Sequence, residues 1–504
     1  MRARALAIAL LLVTAPAAHS QPESLPPDHW AYEELEHFEA RGLLRLSGTR
    51  PYSRAQVRAW VESLAAASTL TGTEQQRLVR LEREFVRGAA PRDERQRFDP
   101  ALVRYHESSW SILGDIEASG GASHGIGAPA GPEQDGTAWG RGAFDAQVHY
   151  GERVVYDTRY RVAVEEEEGQ RTQENAVSAR ERNWRGFTAN YDRAYIAFQS
   201  DRFRFSFGRD YLAWGATRNH EMLLAAHAQS FDGLQAHLRL GRLHLSTMTA
   251  LLSSQLNRQF AAHRAEIDLG AVRVGLHETA LYVSPHLEPA YLFPLGFYYG
   301  NQFNERGDDN VLLGFDVKWS SPLGVLAYEF LADDFIYDGD PAPNRLGSQA
   351  SWSRGFAVAG TDLDVRLGYV AIGRWVFTHR DSAVAYIGGD GNIAEGDAFL
   401  GHWLGPDADH AELALAWSPE LRWKLDLALS NTRRGDGNRD LRNWVWGDEH
   451  NLPFPSGTVE RETWLVGHTR WLVTDRTMVS VGGGIADTSG GREARLEAEV
   501  RLDL

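Results

Sequence analysis

Residues 495–502 read RLEAEVRL: Leu496, Ala498, Val500 and Leu502 alternate with Arg495, Glu497, Glu499 and Arg501. A β-strand sends successive side chains to opposite faces, so this segment has one apolar face and one fully charged face. Charge at that density does not suit a dry sandwich core, where unpaired ions are costly. It suits a barrel whose outside meets lipid and whose inside is wet.

The same alternation runs back through the chain. Phe203, Phe205 and Phe207 alternate with Arg202, Arg204 and Ser206; Leu363, Val365, Leu367 and Tyr369 with Asp364, Arg366 and Gly368; Leu425, Leu427 and Leu429 with Lys424 and Asp426. The connections alternate too. Short turns fall near Gly151, Asp201, Gly241, Gly270, Pro322, Thr361, Pro419 and Asp475. Between them lie longer polar stretches at 121–138, 167–187, 215–228, 253–262, 285–308, 333–349, 373–409 and 431–459. Short turns on one side and long loops on the other mark an outer-membrane barrel. The pattern predicts a transmembrane antiparallel β-barrel of about eighteen strands over 100–504, with strands at 263–269 and 350–360 among them. An even count returns both barrel ends to the periplasmic side.

The N-terminal part reads differently. Arg2 and Arg4, the apolar run 5–13 (ALAIALLLV) and the small residues 15–20 (APAAHS) form a secretory signal peptide over 1–20, with cleavage expected after Ser20. Residues 21–99 then predict a small helical bundle in the periplasm. Helices are expected at Pro27–Leu44, with Asp28 as cap and Gly42 as stop, at Ser53–Ala67, and at Thr73–Arg87. Beyond the signal peptide there is no run of about 18 apolar residues, so no transmembrane helix is predicted.

Composition narrows the function. The chain has 504 residues, no cysteine and a net charge of −16, which disfavours nucleic-acid binding and excludes thiolate metal sites and disulfides. There is no HExxH helix or GxxxxGK[ST] loop, so no catalysis is expected. Asp308, Asp309 and Asn310, like Asp338 and Asp340, offer oxygens to a calcium ion, but no EF-hand spacing accompanies them, so neither metal nor cofactor is expected.

Two segments carry a resemblance: Gly208–Gly215 (GRDYLAWG) and Tyr291–Trp319 (YLFPLGFYYGNQFNERGDDNVLLGFDVKW). With the helical N-terminal part they resemble the Wzi-type capsule-assembly family of outer-membrane proteins. The resemblance implies an eighteen-stranded barrel with a periplasmic bundle. It also implies a monomer that binds and organises capsular or extracellular polysaccharide, lectin-like and without catalysis. Asp28–Leu44, with its HWAY start and ARGLL end, is similar to a single surface-layer-homology helix. That leaves cell-wall or polysaccharide-export components as further partners, beside outer-membrane lipid. Sugar recognition needs aromatic faces and planar polar groups. Loop aromatics that could supply a face include Trp184, Trp375, Trp444 and Trp446. The expected polysaccharide contacts are Asp210, Trp214, Tyr298, Asn301, Glu305, Asp309, Asn310, Asp316, Lys318 and Trp403. The alternative is a diffusion porin whose N-terminal module touches the cell wall.

Overall fold

The computed structural model describes residues 21–503, apart from 67–69, 87–102, 108, 127–136, 166–186, 229, 294–295, 306–308, 336–341, 359, 394–396, 450 and 475. The expected signal peptide, Trp184, Asp308, Asp338 and Asp340 lie outside the described residues.

Among the described residues eighteen antiparallel strands close a barrel. They are β1 (Trp110–Ile126), β2 (Thr137–Tyr150), β3 (Val154–Glu165), β4 (Phe187–Gln199), β5 (Phe203–Asp210), β6 (Phe231–Leu240), β7 (Leu243–Ser253), β8 (Arg258–Asp268) and β9 (Val272–Val283). They continue with β10 (Asn310–Ser321), β11 (Gly324–Asp334), β12 (Arg345–Val358), β13 (Thr361–Ile372), β14 (Ala408–Glu420), β15 (Trp423–Arg434), β16 (Glu460–Thr474), β17 (Thr477–Thr488) and β18 (Gly491–Asp503). Each strand pairs with its chain neighbour, and β18 closes on β1 from Ala494↔Ile126 to Asp503↔Glu117. A short strand, Val103–Glu107, pairs with the first residues of β1 where β18 has ended.

The opening segment behaves as read. Leu496 and Val500 are exposed on the outer face, as are Phe205 and Phe207, Leu367 and Tyr369, and Leu427 and Leu429. A girdle of this extent is stable against lipid rather than water. Several strand boundaries differ from expectation, and β1 runs on to Ile126, into the loop expected over 121–138. Strand β8 begins at Arg258, so the loop expected over 253–262 is only a turn at 254–257. Strand β12 begins at Arg345 instead of 350.

Three helices precede the barrel: α1 (Ala31–Ala40), α2 (Arg54–Ala65) and α3 (Gly72–Phe85). Ser53 caps α2 by accepting from Gln56 N, and Thr71 and Glu74 form a capping box at α3. Asp28 does not cap α1, because a turn bonded from His29 N to Pro26 O intervenes and Trp30 takes the cap position. Gly42 does stop it, at φ +77°. Leu35, Phe38, Val57, Val61, Leu81 and Phe85 make the core of this module. It sits at the short-turn end: Thr73 Oγ1 donates to Gly360 O in the β12–β13 turn, and Arg273, just past the β8–β9 turn, donates to Arg45 O.

Candidate functional site

The inward side chains are built around two fillings of the lumen. The lower one is the helical module, and it is held by ions. Glu33 on α1 pairs with Lys424 and Arg470, both at 2.9 Å. Glu36 pairs with Arg218 at 2.7 Å, and Glu39 with Lys318 at 3.0 Å. His37 Nδ1 lies 2.9 Å from Asp364, while its Nε2 is 3.6 Å from Glu74 and 3.7 Å from Asp362. Burial pushes the His37 imidazole down, but its bond to Asp364 and the Glu74 carboxylate beside it outweigh burial and hold it up at about 9. His37, Glu74 and Asp362 are close enough to hold a metal ion. Arg41 on Glu74 and Arg77 on Asp362 already neutralise those carboxylates, so the donor set does not fit one. The loop after α1 docks on β8, where Ser47 Oγ and Gly48 N donate to Glu266 at 2.9 and 2.8 Å.

The upper filling is made by long loops folded inward, and its centre is apolar. Trp214, Met222, Leu223 and Leu224 from loop 211–230 pack with Val376, Phe377, Tyr386 and Leu400 from loop 373–407. Polar anchors fix each loop to the wall. Glu329 on β11 accepts from Thr217 N at 3.1 Å, from Met222 N at 3.0 Å and from Ala216 N. A Cβ at Gly215 would stand 2.5 Å from the Glu329 carboxylate, which explains the glycine. Arg258, wholly buried, donates to five carbonyls of the other loop: Ala383, Ala385, Ile387, Gly388 and Gly389.

The residues expected to touch polysaccharide do not converge. Asp210 accepts from Ser24 Oγ at 2.7 Å and so ties the module to β5. Trp214 is fully buried and pairs with Thr49 of the module across a two-residue ladder. Asp316 pairs with Arg264, at 3.1 Å on one oxygen, and Lys318 with Glu39. Asn310 donates to Val384 O at 2.9 Å in the upper filling. Trp403 is half-buried, its ring 5.4 Å from His402 and 5.2 Å from His410. Burial, with Arg366 nearby, pushes the adjacent His220 down to about 3, and burial sends His402 well below its ordinary value. Tyr298, Asn301, Glu305 and Asp309 belong to a loop that leaves the lumen altogether.

What the two fillings leave is a cavity of about 860 Å³. Glu33, Glu36 and His37 of α1 form its floor, Thr217 and Arg218 one side, and inward side chains of β10–β18, β1 and β2 its wall. Trp139 and Trp464 line it, half-buried. Both rings lie against glycine on a neighbouring strand. A Cβ at Gly121 would stand 2.7 Å from Trp139 Cζ2, and one at Gly484 would stand 3.3 Å from Trp464 Cε3. The Arg141 guanidinium lies 4.4 Å from the Trp139 ring centre. His468 and Glu497, which pair, Arg495, and Arg366 paired with Glu412 at 2.7 Å add polar groups of both signs. None of these residues was among the polysaccharide contacts expected from sequence, although the alternation places Arg366, Arg495 and Glu497 on charged inner faces of strands. Their signal was present as W-G-R at 139–141 and as the inward positions Trp464, His468 and Arg470 of one strand.

Among solved structures the chain is similar to Wzi of Escherichia coli, an outer-membrane protein involved in group 1 capsule assembly and described as a carbohydrate-binding β-barrel. That alignment has a TM-score of 0.65 and 14% identity, and covers 95% of this chain and 99% of the other. OccAB4 of Acinetobacter baumannii aligns at TM-score 0.46 with 8% identity, over 79% of this chain and 99% of its own. A BenF-like porin from Pseudomonas fluorescens Pf-5 aligns at TM-score 0.46 with 10% identity, over 78% and 99%. No protein-family model and no curated protein matches the chain. The likeness to Wzi establishes the fold, an outer-membrane type of β-barrel.

Proposed function

We propose that this protein is a non-catalytic outer-membrane barrel that binds capsular or extracellular polysaccharide at the cell surface, with its helical module on the periplasmic side. The observation that carries this reading is the cavity: two tryptophans on a rigid wall, ringed by paired ions, above a floor closed by α1. A tryptophan face packs against the apolar face of a sugar ring, and planar charged groups bond hydroxyls in pairs. Strand-borne groups hold such geometry better than loop-borne ones. The shared fold with a carbohydrate-binding barrel points the same way. Trp139, Arg141, Trp464, His468, Arg495 and Glu497 are the contacts this reading selects.

The test is binding of the purified full chain to polysaccharide from the producing strain, together with deletion of the protein. Saturable binding and a loosened surface layer are expected. No binding and an unchanged layer would sink the proposal. Steady ion conductance in planar bilayers would favour the diffusion porin instead.

A further inference from the structure

Loop 284–309 turns down the outside of the barrel, where loops 211–230 and 373–407 turn in. On the outward face of β9, Leu276 is 61% exposed, and Glu278, Ala280 and Tyr282 follow it on the same face yet are buried. The loop covers them with two helices, α4 (Pro289–Leu292) and α5 (Tyr298–Glu305). Tyr291 and Tyr298 pack on Ala261, Ala280, Tyr282 and Val311, all outward-facing. Glu278 accepts from Tyr298 N at 2.7 Å and Tyr299 N at 2.8 Å, and His263 Nε2 lies 3.2 Å from it. A bare carboxylate on a lipid-facing strand is costly. Here it caps a helix and faces protein. Tyr291 Oη donates to Asp309 at 2.5 Å, and Asn301 Nδ2 to Ala290 O at 3.0 Å, which fixes the segment internally.

The far side of this segment is apolar and uncovered. Leu287, Leu292, Phe293 and Phe297 are exposed, Phe297 to 76%. Phe297 directly precedes Tyr298, whose N–H is bonded to Glu278, and Glu278 stands two residues from the exposed Leu276 on the same outward face of β9, so the patch adjoins the lipid-facing wall.

We propose that this segment is a lipid anchor: it is clamped to the barrel by Glu278 and His263, and it sinks Leu292, Phe293 and Phe297 into the acyl region beneath the headgroups. An interfacial segment of this kind binds through buried apolar area. It sets the depth of the barrel at its long-loop rim, and the occupant is bilayer lipid because the patch adjoins the lipid-facing wall.

The chain has no cysteine, so Phe297→Cys, Leu276→Cys and Trp446→Cys can each carry one bimane label in the full chain. The labelled proteins are reconstituted in phosphatidylcholine vesicles with brominated acyl chains. The Phe297 label is expected to be quenched as strongly as the wall label at Leu276, and several-fold more than the loop label at Trp446. Adding Glu278→Ala to Phe297→Cys is expected to shift quenching from bromolipid to aqueous iodide. A Phe297 label quenched by iodide alone overturns the proposal. So does one shielded from both quenchers, which marks a protein partner such as a second copy. Unchanged bromolipid quenching in Glu278→Ala overturns the clamp.

Discussion

The two fillings of the lumen reach the same end by opposite chemistry. The helical module meets the wall through Glu33, His37 and Glu39, each against a charged partner, and meets the folded-in loop 211–230 through Glu36 on Arg218. The folded-in loops meet it through Trp214, Met222, Phe377 and Tyr386, with polar groups only as anchors. Ion pairs are weakened by salt and by titration, whereas apolar packing is not. The module is therefore a separately seated piece with its own core, while the loops are part of the barrel's core.

The contrast breaks most visibly at Phe377. Phe377→Ala should cost about 3–5 kcal/mol, because a fully packed ring leaves a cavity. Thermal unfolding in detergent should register the loss, with no added sensitivity to salt. Glu39→Ala should cost about 3 kcal/mol of module seating, because it strands the buried Lys318 ammonium. Faster proteolysis of residues 21–86, with the barrel still heat-stable, is the expected readout.

The seating should also depend on pH through His37. Its imidazole is held up at about 9 from an ordinary 6.5, so its contribution is complete below about 6.5 and is lost as the pH rises through about 9. Proteolysis of the module should accelerate across that window, and His37→Gln should flatten the profile. The smallest effect belongs to Glu33→Gln. Its partners Lys424 and Arg470 are partly exposed, so the change should be about 1 kcal/mol or less and should vanish in high salt.

The barrel was legible because lipid outside and water inside write a period of two. The pattern failed where that contrast is missing. At 258–262 the inward Phe260 and Ala262 meet the folded-in loops, and the outward Ala261 meets Tyr298. With protein on both faces the strand loses its alternation and read as a loop. At 345–349 small and polar residues, RLGSQ, resemble turn chemistry, yet Gly347 lies against Met222 of the folded-in loop. The candidate site was less legible still. Whether a loop turns in or out depends on distant anchors, Arg258 and Glu329 for one direction and Glu278 for the other. Trp214 and Tyr298 therefore looked like free aromatics in polar loops, whereas both are packed. Trp139 and Trp464 looked like ordinary strand residues, and only the glycines beside them on neighbouring strands show that their rings lie along the cavity wall.

The central claim is that the cavity between the two fillings holds sugar. The direct measurement is calorimetric titration of the full chain with oligosaccharide fragments of the producing strain's surface polysaccharide, beside Trp464→Ala and the Trp139→Ala, Trp464→Ala pair. Saturable binding is predicted, weakened up to about tenfold by the single change, as expected for one aromatic contact, and abolished by the pair. Binding of equal strength in all three proteins, with the barrel folded, would contradict it.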